Sequence, residues 1–330
     1  MPATNPTRRT DSPERASGDL GARDASFVDP RALMRIKSLQ LRAKVVVEGF
    51  NAGLHRSPYH GFSVEFSEYR EYSPGDDPRY LDWRLFARSD RYYVKRFEDE
   101  TSLRCHLLVD MSRSMSYGSG AYTKADYART LAATLAYFLS SQRDAVGLMT
   151  FDEAIAEYLP ARFRPGHLHR LMVALERSTG GVSTDLTGPL EQIASSVNKR
   201  GLIVLISDLL APVEPLETNL SYLRSRGHEV ILLRVLDRAE EEFVFGDAAI
   251  FLDLESGREL YIDPKVAREQ YLERFGAHTA AITRACNKLG IECVEMTTDR
   301  PLELALFDFI SARGRRGRQI ARRTSTSRRG

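Results

Sequence analysis

The rhythm of hydrophobic and polar positions changes three times along this chain. Residues 1–29 are rich in Pro, Ser, Thr, Arg and Asp and carry no period, the composition of a disordered tail. From Ala32 to Phe50 the apolar residues Leu33, Ile36, Leu39, Ala43, Val46 and Val47 fall mostly three or four apart. That spacing predicts one helix, opened by Asp29-Pro30 and closed near Gly49 or Gly53. Between Leu54 and Glu100 the texture becomes aromatic and charged, punctuated by Pro58, Gly61, Pro74, Gly75 and Pro78. Ser63–Tyr69 and Arg91–Phe97 alternate there as half-buried strands do, so a small β-rich module of two to four strands is expected.

From Leu103 onward, short apolar runs alternate with amphipathic stretches. Strands are predicted at Leu103–Val109, Ala145–Phe151 (with Ile155–Leu159 as a short partner), Gly201–Ile206, Val230–Val235 and Ile291–Met296. Helices are predicted at Lys124–Ser141, His167–Arg177, Leu186–Val197, Leu216–Arg226, Lys265–Leu289 and Pro301–Phe309. This is the signature of an α/β fold, a mostly parallel sheet with helices on both faces. Phe243–Ile262 interrupts the rhythm and reads as three strands with a turn at Glu255–Gly257, a β insertion near 241–263. The chain thus divides into a tail (1–29), a helix with a small β-rich module (30–100), an α/β domain (101–312) and a second tail (313–330).

Composition adds little to this until it is resolved along the chain. With 330 residues, 42% hydrophobic and 28% charged, the protein can bury a substantial core. The net charge of +2 conceals an Arg-rich, acid-free segment from Arg313 to the end, so the remainder is net acidic. That tail has no aromatic residues to stack bases and no folded motif, which argues against specific nucleic-acid recognition. No apolar run approaches the ~18 residues of a membrane helix, so no membrane span is expected. Cys105, Cys286 and Cys293 form no CxxC pair and read as reduced, buried thiols of a cytoplasmic protein.

The candidate chemistry begins at LRCHLLVDMSRSM, Leu103 to Met115. An apolar strand ends on Asp110, and Ser112 and Ser114 follow in alternation. In an open α/β sheet ligands gather at the carboxyl ends of strands. Two other loops are expected there: GGVSTDLTG with Thr184, where Ser183 and Asp185 are alternative donors, and Ser207-Asp208 after the Gly201–Ile206 strand. Carboxylates and hydroxyls without His or Cys suit a hard ion; Mg2+ takes six oxygens at about 2.0–2.1 Å, and Mn2+ also fits. The competing roles for these residues are helix capping and arginine pairing.

The set Asp110-x-Ser112-x-Ser114, Thr184, Asp208 resembles the metal-ion-dependent adhesion site of von Willebrand factor A domains, over roughly Leu103 to Phe309. That resemblance implies direct contacts to the ion from the serines and threonine, water-mediated contacts from the aspartates, and an open position for a partner's acidic side chain. Ahead of it, Arg70, Tyr72, Gly75-Asp76-Asp77, Arg79, Asp82-Trp83 and Ala87-Arg88 resemble the signature of the bacterial domain of unknown function 58 family. Such proteins are often encoded beside MoxR-type AAA+ ATPases, which implies an adaptor or chaperone-like role with such an ATPase and its client proteins. Read as residues, the Asp and Arg of this signature suit an ion-pair network or a docking surface, and Trp83 suits a packing anchor between the module and the large domain.

The rival readings are a hydrolase or phosphoryl-transfer enzyme on the same metal site, and nucleic-acid binding through the tail. Phosphoryl transfer through an aspartate needs a second carboxylate where Ser112 stands. The sequence has no GxxxxGK[ST] loop, no GxSxG elbow and no HExxH pair. The expectation is a non-enzymatic interaction protein.

Overall fold

A computed structural model describes residues 27–56, 69–71, 93–95, 103–152, 154–177, 187–197, 199–245, 249–252 and 259–311. Its centre is a six-stranded sheet ordered β10-β7-β6-β3-β4-β5. The strands are β3 (Arg104–Asp110), β4 (Ala145–Phe151), β5 (Ile155–Arg162), β6 (Leu202–Ser207), β7 (Glu229–Leu236) and β10 (Glu292–Thr297). All neighbouring pairs are parallel except β4 with β5. The inner strands β4 and β6 are buried throughout, so they read as unbroken apolar runs, while the edge strand β5 alternates half-buried and exposed positions.

Side chains alternate across each strand, and the two faces build two cores. One gathers Cys105, Leu107, Val109, Val204, Ile206, Leu233 and Val235 under helices. These are α2 (Leu39–Arg56), α3 (Lys124–Ser141), α4 (His167–Glu176) and α9 (302–311). The other gathers Leu108, Met149, Ile203, Leu205, Val230 and Leu232 under α5 (Thr187–Ser196), α6 (Val213–Ser225) and α8 (Pro264–Leu289). At its start α3 carries a capping box, Thr123 and Asp126 satisfying each other's backbone N–H. At the end of α8, Gly290 adopts φ 61°, where a side chain would be strained.

Three expectations need correction. The single helix over 32–50 is two: a short α1 (Pro30–Met34), capped by Asp29, and α2, which runs past Gly49 and Gly53 to Arg56. A helix tolerates glycine where packing rewards it, and a Cβ at Gly49 would come within 3.3 Å of the Glu303 carboxylate. Second, α2 does not stand apart with the N-terminal module: Ala43, Val46, Val47 and Phe50 are buried in the first core, and the Phe50 ring meets Phe138 of α3 edge-on at 6.1 Å. Third, among the described residues the segment near 241–263 shows two strands rather than three. A short helix α7 (Arg238–Glu242) leads into one antiparallel pair, β8 (Ala249–Leu252) with β9 (Glu259–Ile262), which forms its own two-stranded sheet. Of the expected N-terminal strands, β1 (Tyr69–Glu71) and β2 (Tyr93–Lys95) pair antiparallel. The rest of the 72–88 signature, Trp83 included, lies outside the described residues, as do 1–26 and the Arg-rich tail.

Candidate metal centre

The neighbouring parallel strands β3 and β6 end together, Val109 opposite Ile206, so Asp110 and Ser207 leave the sheet side by side. Both are fully buried. Ser207 donates its hydroxyl to Asp110 Oδ2 at 2.6 Å, and the Ser112 N–H donates to Oδ1 at 2.8 Å. The loop after β3 is pinned by the buried side chains of Met111 and Met115 and turns through a 3-10 segment, Ser114–Ser116. This brings the hydroxyl oxygens of Ser112 and Ser114 within 3.1 Å of each other. Just after β6, Leu209 takes φ 55°, uncommon for a bulky residue, and its N–H donates back to Ser207 Oγ. Asp208 is thereby turned inward and is fully buried.

Asp208 does not face the site alone. The Lys124 ammonium, at the first turn of α3, donates to Asp208 Oδ2 at 2.9 Å and to Glu240 Oε1 of α7 at 2.8 Å. Its side chain is completely buried. Burial alone would lower the Lys124 pKa, but the charges of Asp208 and Glu240 outweigh it and hold the group raised. Behind Asp208, the buried guanidinium of Arg234 donates to its backbone carbonyl at 3.1 Å and reaches Glu295 and Thr279. Asp110 is different. Burial first, then the Asp208 charge, pushes its carboxyl up to about 6 against the hydrogen bonds from Ser112 and Ser207.

These residues fit a hard cation. Asp110 is a fully buried carboxylate with no ion-pair partner among the described residues, since Lys124 is spent on Asp208 and Glu240. A buried charge without a counter-charge is costly. All neighbouring donors are oxygens, and two of them are hydroxyls held 3.1 Å apart. Among the described residues no group of three or more His, Cys, Asp or Glu is arranged for a metal.

Of the five residues expected at the site, Asp110, Ser112, Ser114 and Asp208 lie on the two adjacent strand ends. Thr184, with Ser183 and Asp185, lies outside the described residues. Lys124 and Glu240 were missed. A lysine opening a helix is ordinarily a solvated residue, and its partners are 84 and 116 positions away, so no local signal marks it.

A mostly parallel six-stranded sheet covered by helices on both faces, with this set at its carboxyl edge, has the von Willebrand factor A-like fold. The chain belongs to the family described as "Protein of unknown function DUF58", whose model matches residues 68–281. It is 30% identical over 292 residues to the uncharacterized protein Mb1516 of Mycobacterium bovis, covering 87% of this chain and 91% of that one. Among solved structures it is similar to the conserved hypothetical protein BatB from Bacteroides thetaiotaomicron, at 17% identity and a TM-score of 0.43, covering 63% of this chain and 97% of that one. It is also similar to the VWA domain of SpRpn10, at 13% identity and a TM-score of 0.35, covering 61% and 92%. Among the described residues no helix is long and apolar enough to cross a membrane.

Proposed function

We propose that this chain is a non-enzymatic, metal-dependent protein-interaction module. Asp110, Ser112, Ser114 and Asp208, completed by Thr184, would hold Mg2+ or Mn2+. The observation that carries this reading is the buried Asp110 carboxylate, unpaired among the described residues and set beside two converging hydroxyls. The bound ion would supply a Lewis-acidic position open to an acidic side chain of a partner. The chain's own part is to orient the oxygens. Ser207 and the Ser112 N–H fix Asp110, and Lys124 fixes Asp208.

The partner we propose is a MoxR-type AAA+ ATPase in the cytoplasm, with this chain as its adaptor or chaperone-like subunit. Support comes from the family's signature and its resemblance to proteins encoded beside such ATPases. A non-enzymatic role is supported by how the candidate bases are used. Lys124 is held between two carboxylates, His167 Nε2 engages the Val146 carbonyl and His278 Nε2 the Leu209 carbonyl. None of these is placed as a general base beside a nucleophile. The test is capture of the purified ATPase with Mg2+ and with chelator. Capture only with metal, lost in Asp110→Ala, is expected.

One observation favours a second reading. The Lys124 ammonium is already a resident cation at this end of the sheet. Capture that is equal with metal and with chelator would mean that the site works through this internal charge.

A further inference from the structure

At the opposite end of β3 lies a pocket that plays no part in the reading above. Six residue steps of about 3.3 Å separate Arg104 from Asp110, so the two ends are about 20 Å apart. Arg104 and His106, alternate residues of β3, share one face of the sheet, and both line the pocket. Space for them exists because the β4 residue opposite His106 is Gly147, where a Cβ would meet the Ala161 backbone nitrogen at 2.7 Å. A register shift between β4 and β5 at this point brings the β5 chain across as the pocket wall. Tyr158 of β5, Ser196 at the end of α5 and Lys199 complete a cavity of about 210 Å³.

We infer that this pocket binds a small oxyanion, either inorganic phosphate or the phosphate of a small phosphomonoester. Among the described residues Arg104 and Lys199 have no ion-pair partner, and none of those lining the cavity is acidic. Two cations converging on one small cavity repel each other until an anion enters. His106 is 6% exposed, lines the cavity and has no hydrogen-bond partner among the described residues. As a neutral ring it offers one N–H to an anion, and Arg104 offers a planar fork matched to phosphate. Ser196 and Tyr158 add hydroxyl donors at the rim. The carboxyl end of α5 brings partial negative charge of about half a unit towards the same place, which two full positive charges outweigh. The volume lies below the roughly 300–1,000 Å³ of sites for drug-sized ligands, which favours a single small anionic group.

The test is calorimetric titration of the full-length chain at low ionic strength, with inorganic phosphate in one arm and AMP in the other. The His106 imidazole resonances are followed in parallel. Saturable binding that moves the His106 signals is expected, weakened at least tenfold in Lys199→Met and in Arg104→Met. Lys199 is exposed, so its variant keeps the test open should Arg104→Met fold poorly. Equal affinity for the two probes identifies the free ion, and tighter binding of AMP identifies a phosphomonoester. Absence of saturable binding of either at millimolar concentration, or affinity unchanged in both variants, overturns the assignment.

Discussion

The two ends of β3 are built on opposite plans. At its carboxyl end, Asp110 is fully buried among acidic and hydroxyl oxygens, and nearly every neighbour is tied to another: Ser207 to Asp110, Lys124 to Asp208 and Glu240, Arg234 to the Asp208 carbonyl. At its amino end, Arg104 and Lys199 stand unpaired among the described residues around a half-open cavity. At the closed end three carboxylates, Asp110, Asp208 and Glu240, meet the single Lys124 ammonium, so negative charge is in excess; among the described residues the open end has two charges of the other sign. The difference teaches that charge left over after internal pairing is what the two proposals rest on, a cation proposed at one end and an anion at the other. It also means that the paired groups of the closed end carry stability, whereas the exposed Lys199 at the open end carries little.

The largest effect is expected from breaking the closed end at Lys124. Lys124→Met removes the only described ammonium between two carboxylates and leaves Asp208 buried without a counter-charge. Loss of one member of a buried pair costs about 3–5 kcal/mol, read as a lower denaturant midpoint. A loss below about 1 kcal/mol would place Lys124 among exposed, weakly coupled pairs instead.

Next in size is the opposition between the ends under titration. Burial first, then His228 and Arg104, lowers the His106 pKa to about 4, whereas an unfolded chain takes up that proton near 6.5. Stability from His106 is therefore lost as pH falls through that window, by about 3 kcal/mol at the lower limit. Asp110 has the reverse sign. Its folded carboxyl is raised, so the folded state holds the proton more tightly and stability is lost as pH rises from about 4 to about 6. In chelator, denaturant unfolding at about pH 4.5 and about pH 7 should separate the two. Relative to wild type, His106→Gln gains stability on acidification and Asp110→Asn loses it. Shifts of the same sign in both variants would refute the opposition. The smallest effect belongs to Lys199→Met, within about 0.5 kcal/mol, because the side chain is exposed and pairs with no described residue.

Much of the scaffold was legible in the sequence because its signals are local. Buried parallel strands such as β6 and β7 are unbroken apolar runs, α3 carries its capping box, and α8 ends at Gly290. The spacing Asp110-x-Ser112-x-Ser114 after an apolar strand marked one half of the candidate site and Asp208 after the Gly201–Ile206 run the other; the structure sets these residues at adjacent strand ends. What was hidden depends on long-range packing. The membership of α2 in the main core follows from its contact with α3, not from its own period. Lys124 has the sequence context of any helix-opening lysine, and only the approach of β6 and α7 makes it a buried bridge. His106 read as one residue of a strand, and its cavity arises from Gly147 and the shifted β5 beside it.

The central claim concerns Asp110, and calorimetric titration of Mg2+ and Mn2+ into wild type and Asp110→Ala tests it most directly. Saturable one-site binding in the wild type and none in the variant, with the variant still folded by circular dichroism, is the predicted result. Equal metal affinity in the two proteins would contradict the account.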